Sequence, residues 1–190
     1  MLKCSLFCVI FVLIMKRSFF ILLIILTILS GCRKDNSPRT SGIDTIDNTT
    51  YETTTYYTFG FSFSKATKVS TLDSPGPDIT INVNNDNPVS RLILQANNLE
   101  NSFYKIGDYP AAASAVSAFN NLKTVGAYQW EGMADPINAN QVWVYRTGSE
   151  NYAKIRIVST KNEIRNNLPY GECTFEWFYQ PDGSLTFPGK

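Results

Sequence analysis

The segment GECTFEWFYQ, residues 171–180, places Cys173, Phe175, Trp177 and Tyr179 on one side of an extended chain and Thr174, Glu176 and Phe178 on the other. A period of two cannot form one face of a helix; it marks a strand with one buried face. The rhythm recurs in QVWVYRT, where Trp143 and Tyr145 oppose Val142 and Val144, and again in YAKIRIV beyond the turn residues Gly148 to Asn151. This spacing predicts a β-hairpin across residues 141–158. Upstream, Tyr57, Phe59, Phe61 and Phe63 alternate with Thr58, Gly60, Ser62 and Ser64, while DITINVN (78–84) and RLILQA (91–96) are further strand candidates. The clusters PGPD and NNDNP between them are turn chemistry, and Pro181-Asp182-Gly183 turns the last strand into LTF.

One segment departs from the rhythm. In YPAAASAVSAFNNL, Pro110 stands where a first helical residue belongs, and Ala112, Ala115, Val116 and Phe119 recur at helical spacing. The expected fold class is therefore mostly β, a single antiparallel β-rich domain with one inserted α-helix over about residues 110–122, its apolar stripe packed on the sheet.

The N-terminal part reads differently. Ser18 to Leu29 is a run of 12 uncharged residues after Lys16 and Arg17 and before Ser30, Gly31 and Cys32. Crossing a bilayer takes roughly 20 apolar residues, so the run suits the apolar region of a signal peptide. Leu29-Ser30-Gly31-Cys32 resembles the bacterial lipobox, which implies cleavage before Cys32 and lipidation of that residue, palmitate included; an uncleaved membrane anchor is the alternative. A second apolar run, Leu6 to Ile14, lies upstream, and a start at Met15 gives a more compact signal with its charges at the front. Residues 1–31 are thus read as a lipoprotein signal peptide. Arg33 to about Thr55 is polar, with only isolated Ile43, Ile46 and Tyr51, and such a composition buries too little apolar surface to offset its conformational entropy. Residues 32–55 are accordingly expected to be the lipidated cysteine and a flexible tether, and residues 56–190 an autonomous β-domain. Arg33 and Lys34 follow the cysteine directly, which by analogy with sorting in Gram-negative lipoproteins favours the outer membrane.

Charge and residue usage narrow the function. The chain carries 17 Lys and Arg against 16 Asp and Glu; without Lys3, Lys16 and Arg17 the mature part has 14 against 16. That balance argues against general electrostatic binding of nucleic acid. There is no histidine, which removes Ser-His-Asp and Cys-His catalysis and imidazole metal sites. Phosphate loops and nucleophile elbows are absent from the sequence as well, so the reading is non-enzymatic. Cys173, left without a partner once Cys4 and Cys8 depart with the signal and Cys32 is lipidated, reads as a small buried hydrophobe. Glu172, Glu176, Lys154 and Arg156 read as a solvated outer face. Twelve Phe, 3 Trp and 10 Tyr suit either ordinary strand packing or an aromatic-lined cleft for a flat ligand.

The hairpin QVWVYRTGSENYAKIRIV followed by CTFEWFYQPDGSLTF resembles the C-terminal part of the HmuY-like bacterial surface lipoproteins, over about the last 50 residues. The resemblance implies a β-rich, hand-like fold, a lipid-anchored outer-membrane or cell-surface location, and capture of haem for delivery to an outer-membrane receptor. Haem-binding members of that family use His or Met as axial ligands. Here Met133 is the sole thioether after Cys32, so Met133, with Tyr128 and Trp130 as cleft walls, is the candidate haem-binding set, and no metal site of the protein's own is expected. The alternative is an accessory lipoprotein that docks on an outer-membrane complex and holds no small molecule.

Overall fold

The computed structural model describes residues 37–85, 90–97 and 100–188, which belong, from Pro38 onward, to one compact unit ending at Lys190. Cys32 and the signal segment lie outside the described residues. Among the described residues, twelve strands and one helix follow in chain order: β1 Ser41–Asp47, β2 Tyr51–Glu52, β3 Tyr56–Tyr57, β4 Phe59–Ser62, β5 Thr67–Ser70, β6 Ile79–Asn84, β7 Arg91–Ala96, β8 Phe103–Asp108, α1 Ala112–Asn121, β9 Met133–Ala134, β10 Gln141–Arg146, β11 Tyr152–Arg165 and β12 Leu168–Gln180. They form two five-stranded antiparallel sheets, β1-β12-β11-β10-β8 and β5-β4-β6-β7-β9, and a small β2-β3 ribbon. This is the mostly β domain with one helix that the alternation predicts.

The core lies between the two sheets. Phe175 and Trp177 of β12 meet Phe61 of β4 at ring separations of 5.3 and 5.2 Å, and Phe63 adds a contact with Trp177 at 5.9 Å. Ile79, Ile81, Leu92 and Leu94 close the cluster from β6 and β7, and Ile155, Ile157 and Cys173 from β11 and β12. Each buried aromatic with a polar end has a partner, as burial demands: the Tyr145 hydroxyl donates to the Asp78 carbonyl at 2.9 Å, Trp143 Nε1 to Gln141 Oε1 at 3.1 Å and Trp177 Nε1 to Asp44 Oδ2 at 2.7 Å. The sheets pack tightly at Gly171, where a Cβ would lie 2.6 Å from a Leu92 methyl and 2.8 Å from a Val83 methyl. Only a glycine lets β12 cross there unstrained.

Three sequence expectations need correction. The tether expected over residues 32–55 contains β1, which pairs with β12 from Ser41↔Phe178 to Asp47↔Glu172. Ile46 is fully buried in the inter-sheet core, Thr45 and Thr174 share a hydroxyl hydrogen bond of 2.8 Å, and Asp44 receives the Trp177 indole. A polar segment forms a strand here because only one apolar side chain has to point inward; partners far along the chain supply the rest. The domain thus begins near residue 41 rather than at 56.

The helix is also shorter than expected. Ala111 is its N-cap, without a side-chain cap hydrogen bond, so Pro110 stands just outside the helix instead of at its first position.

Finally, the outer face of the first sheet is not simply solvated. Helix α1 and the C-terminal segment cover part of it, with Val125, Val144 and Phe187 buried beneath. Lys154 is only 3% exposed and Arg156 only 8%. Lys154 Nζ donates to the Phe119 and Leu122 carbonyls at 2.8 and 3.1 Å, at the end of α1 where carbonyls lack intrahelical donors. The rings of Phe119, Phe178 and Phe187 surround the ammonium at 4.7 to 5.7 Å. Arg156 pairs with Glu176 at 2.9 Å. Alternation alone marks these residues as outward-facing, and does not reveal that a helix roofs that face.

Candidate functional site

Tyr128 and Trp130 lie on the connection between α1 and β9. Reciprocal backbone hydrogen bonds between Glu131 and Phe103, 2.7 and 2.9 Å long, hold that connection beside β8. The two side chains join a strip of half-buried rings at one end of the first sheet. Tyr104 and Tyr128 stack at 3.9 Å with planes 3° apart, Trp130 meets Tyr128 edge-on at 5.6 Å, and Tyr152 lies 6.3 Å from Trp130 at 30°. The Arg146 guanidinium covers Trp130 at 4.8 Å. Arg146 and Tyr152 are there because they oppose one another across the β10–β11 hairpin. The rings occupy each other's faces, so the strip is a packed surface rather than a slot between walls.

Met133 belongs to the other sheet. It pairs with Gln95 on two-residue strand β9 and is 42% exposed. Tyr128 and Trp130 are brought together with Tyr104, Tyr152 and Arg146, whereas Met133 is placed on the edge strand of the second sheet.

An open groove of about 470 Å³ lies instead at the tip of the β11–β12 hairpin, where the chain following β1 passes beside it. Asn166 and Asn167 both have positive φ, 50° and 62°, and Arg165 pairs directly with Leu168 across them. Two residues at positive φ give the tight turn whose twist matches that of the strands. Asn48 fixes the neighbouring wall: its amide nitrogen donates to the Pro169 carbonyl at 3.0 Å and its amide oxygen accepts the Gly171 N–H at 2.8 Å. Inside, the Arg165 guanidinium carbon sits over the Tyr170 ring, 3.3 Å from its centroid, and its Nε pairs with Glu163. The Glu163 carboxyl is held below its usual pKa chiefly by that hydrogen bond. The Tyr170 hydroxyl donates to Glu172 at 2.6 Å; burial, then this hydrogen bond, push its pKa up to about 12. Leu168 and Ile164 are each 68% exposed at the tip. A smaller groove of about 270 Å³ lies between Ser90–Leu92, Pro136–Asn138 and Thr160 with Asn162. Met133 lines neither groove.

The tip groove can receive an apolar body against Leu168 and Pro169 and polar groups along Thr49, Thr50 and Arg165. It offers iron a poor ligand, because Tyr170 is held as a neutral phenol. Among the described residues no group of three His, Cys, Asp or Glu side chains could hold a metal ion. Cys173 is buried, and burial, with a smaller contribution from Glu172, pushes its thiol well above the usual range, away from the thiolate that nucleophilic chemistry requires. The sequence reading missed this groove; the only local signal was the Asn-Asn pair, a turn-former flanked by apolar residues. Compared with known protein families, curated proteins and solved structures, the chain matches none.

Proposed function

We propose that the chain is a lipid-anchored binding protein of the bacterial outer membrane, exposed at the cell surface and HmuY-like in kind, whose β-domain captures a flat hydrophobic ligand without transforming it. Attachment would run through Cys32; among the described residues no helix is long and apolar enough to cross a membrane. The observation that carries the reading is the tip groove: its volume falls in the range of small-ligand sites, and it sits beside apolar side chains that the fold leaves uncovered. Transfer of the ligand to an outer-membrane receptor is the partner step that goes with this reading.

Haem is the probe of choice, with affinity drawn from the porphyrin faces rather than from the iron. Titration of haem into the protein is expected to give a saturable Soret change without the low-spin spectrum of two strong nitrogen donors. Leu168→Asp should weaken binding about tenfold or more, since it removes apolar contact and adds a charge. Met133→Ala should leave spectrum and affinity unchanged. Absence of any saturable change in the wild type would remove haem as the ligand. A second reading, an accessory lipoprotein docking on a larger complex, draws on a different observation: Ile164 and Leu168 are each 68% exposed at the end of the β11–β12 hairpin, on its two faces.

A further inference from the structure

We infer that the hairpin-tip groove selects an apolar ligand that bears a carboxylate, and that Arg165 is the residue that reads the carboxylate. This rests on the groove being a ligand seat, as proposed above. The guanidinium is fixed on two sides, by the Tyr170 ring beneath it and by Glu163 at Nε. Such an arginine has lost most of its conformational freedom before any ligand arrives. Its hydrogen bond to Glu163 is made through Nε, and the two terminal nitrogens form a planar fork of the kind that binds two carboxylate oxygens.

Selection of an anion here rests on the geometry of the fork rather than on net charge. Glu163 is shared between Arg165 and Lys161, the latter at 3.2 Å, and two further carboxylates near the groove accept hydrogen bonds from neutral donors, Glu172 from the Tyr170 hydroxyl at 2.6 Å and Asp47 from the Thr49 amide at 2.9 Å, so two cations face three carboxylates. Beside the fork, Leu168 and Pro169 supply apolar wall. An apolar body with an acidic edge satisfies both halves of the groove, whereas a neutral apolar body leaves the arginine fork unmatched.

Two fluorescent probes with the same flat ring system separate the possibilities, 1-pyrenebutyric acid and 1-pyrenebutanol. The full mature chain, wild type and Arg165→Gln, is titrated with each. The expected result is that wild type binds the acid about tenfold more tightly than the alcohol, the size of one charge-assisted hydrogen-bond pair. Arg165→Gln should erase that difference, so that the two probes bind the variant alike. Equal binding of acid and alcohol by wild type overturns carboxylate selection and leaves the flat-ligand reading standing. An acid preference that survives in Arg165→Gln overturns the assignment to Arg165. If neither probe binds saturably, the groove is not the seat of a flat ligand, and this inference falls with it whatever haem does elsewhere on the domain.

Discussion

Lys154 shows how one residue changes role with its surroundings. In an alternating segment it reads as a solvated charge on the outer face of a strand. In the fold its ammonium lies under α1, bonded to two carbonyls and ringed by three phenylalanines. The helix has no basic residue in its own last turn, so the sheet supplies the cation that the C-terminal end of the helix favours. Replacing Lys154 by Met keeps most of the volume and removes both hydrogen bonds. The expected loss is about 2–3 kcal/mol, the range for hydrogen bonds to a charged group, measured by urea unfolding. A change below about 0.5 kcal/mol, the size typical of a surface substitution, would mean that the buried ammonium contributes no net stability.

At the scale of elements, legibility followed how self-contained each strand's pattern is. β10, the first half of β11 and most of β12 carry apolar residues at every second position, so each announces its buried face without help from elsewhere. β1 does not. Its inward positions are Gly42, Asp44 and Ile46, and two of these become strand-like only when Trp177 and its neighbours on β12 are present to complete them. Similarly, STKNEIR at the end of β11 is polar on both faces, so the projecting hairpin and the groove at its tip could not be read from alternation. Arg165 gains significance only because a two-residue turn brings it beside Leu168 and Tyr170. The aromatic strip was half legible: Tyr128 and Trp130 stood out by type, whereas their stacking with Tyr104 and Tyr152 depends on β8 and on the β10–β11 hairpin meeting at one sheet end. Because β1 completes the main sheet, a chain beginning at Thr50 is expected to be much less stable than one beginning at Arg33. Ile46→Ala alone should cost about 2–4 kcal/mol, as for other fully buried aliphatics. Equal thermal midpoints for the two chains would show that β1 adds nothing to the domain.

Across the whole molecule, buried neutral acids set the dependence of stability on alkaline pH. The chain has no histidine, the side chain whose ordinary pKa lies in the neutral range. Its core instead holds neutral acids. Burial raises the pKa of Cys173, Tyr145 and Tyr179 above their ordinary values, and Tyr170 is raised to about 12. The unfolded chain releases these protons at about 9 for the thiol and about 10 for the phenols. For groups whose folded pKa is raised, the stabilisation is fully present below the unfolded value and is lost as pH rises through the folded one. Stability should therefore be level between about pH 6 and 8, decline from about pH 9 as the unfolded thiol begins to ionise, and fall more steeply above about pH 10 when the phenols join. Cys173→Ala separates the two phases. It lowers the urea midpoint at every pH by removing buried volume, and it should move the onset of the alkaline decline from about pH 9 to about pH 10. An onset unchanged by Cys173→Ala would mean that the thiol is as free to ionise in the fold as in the unfolded chain, which its complete burial against Ile46 and the inter-sheet core does not allow.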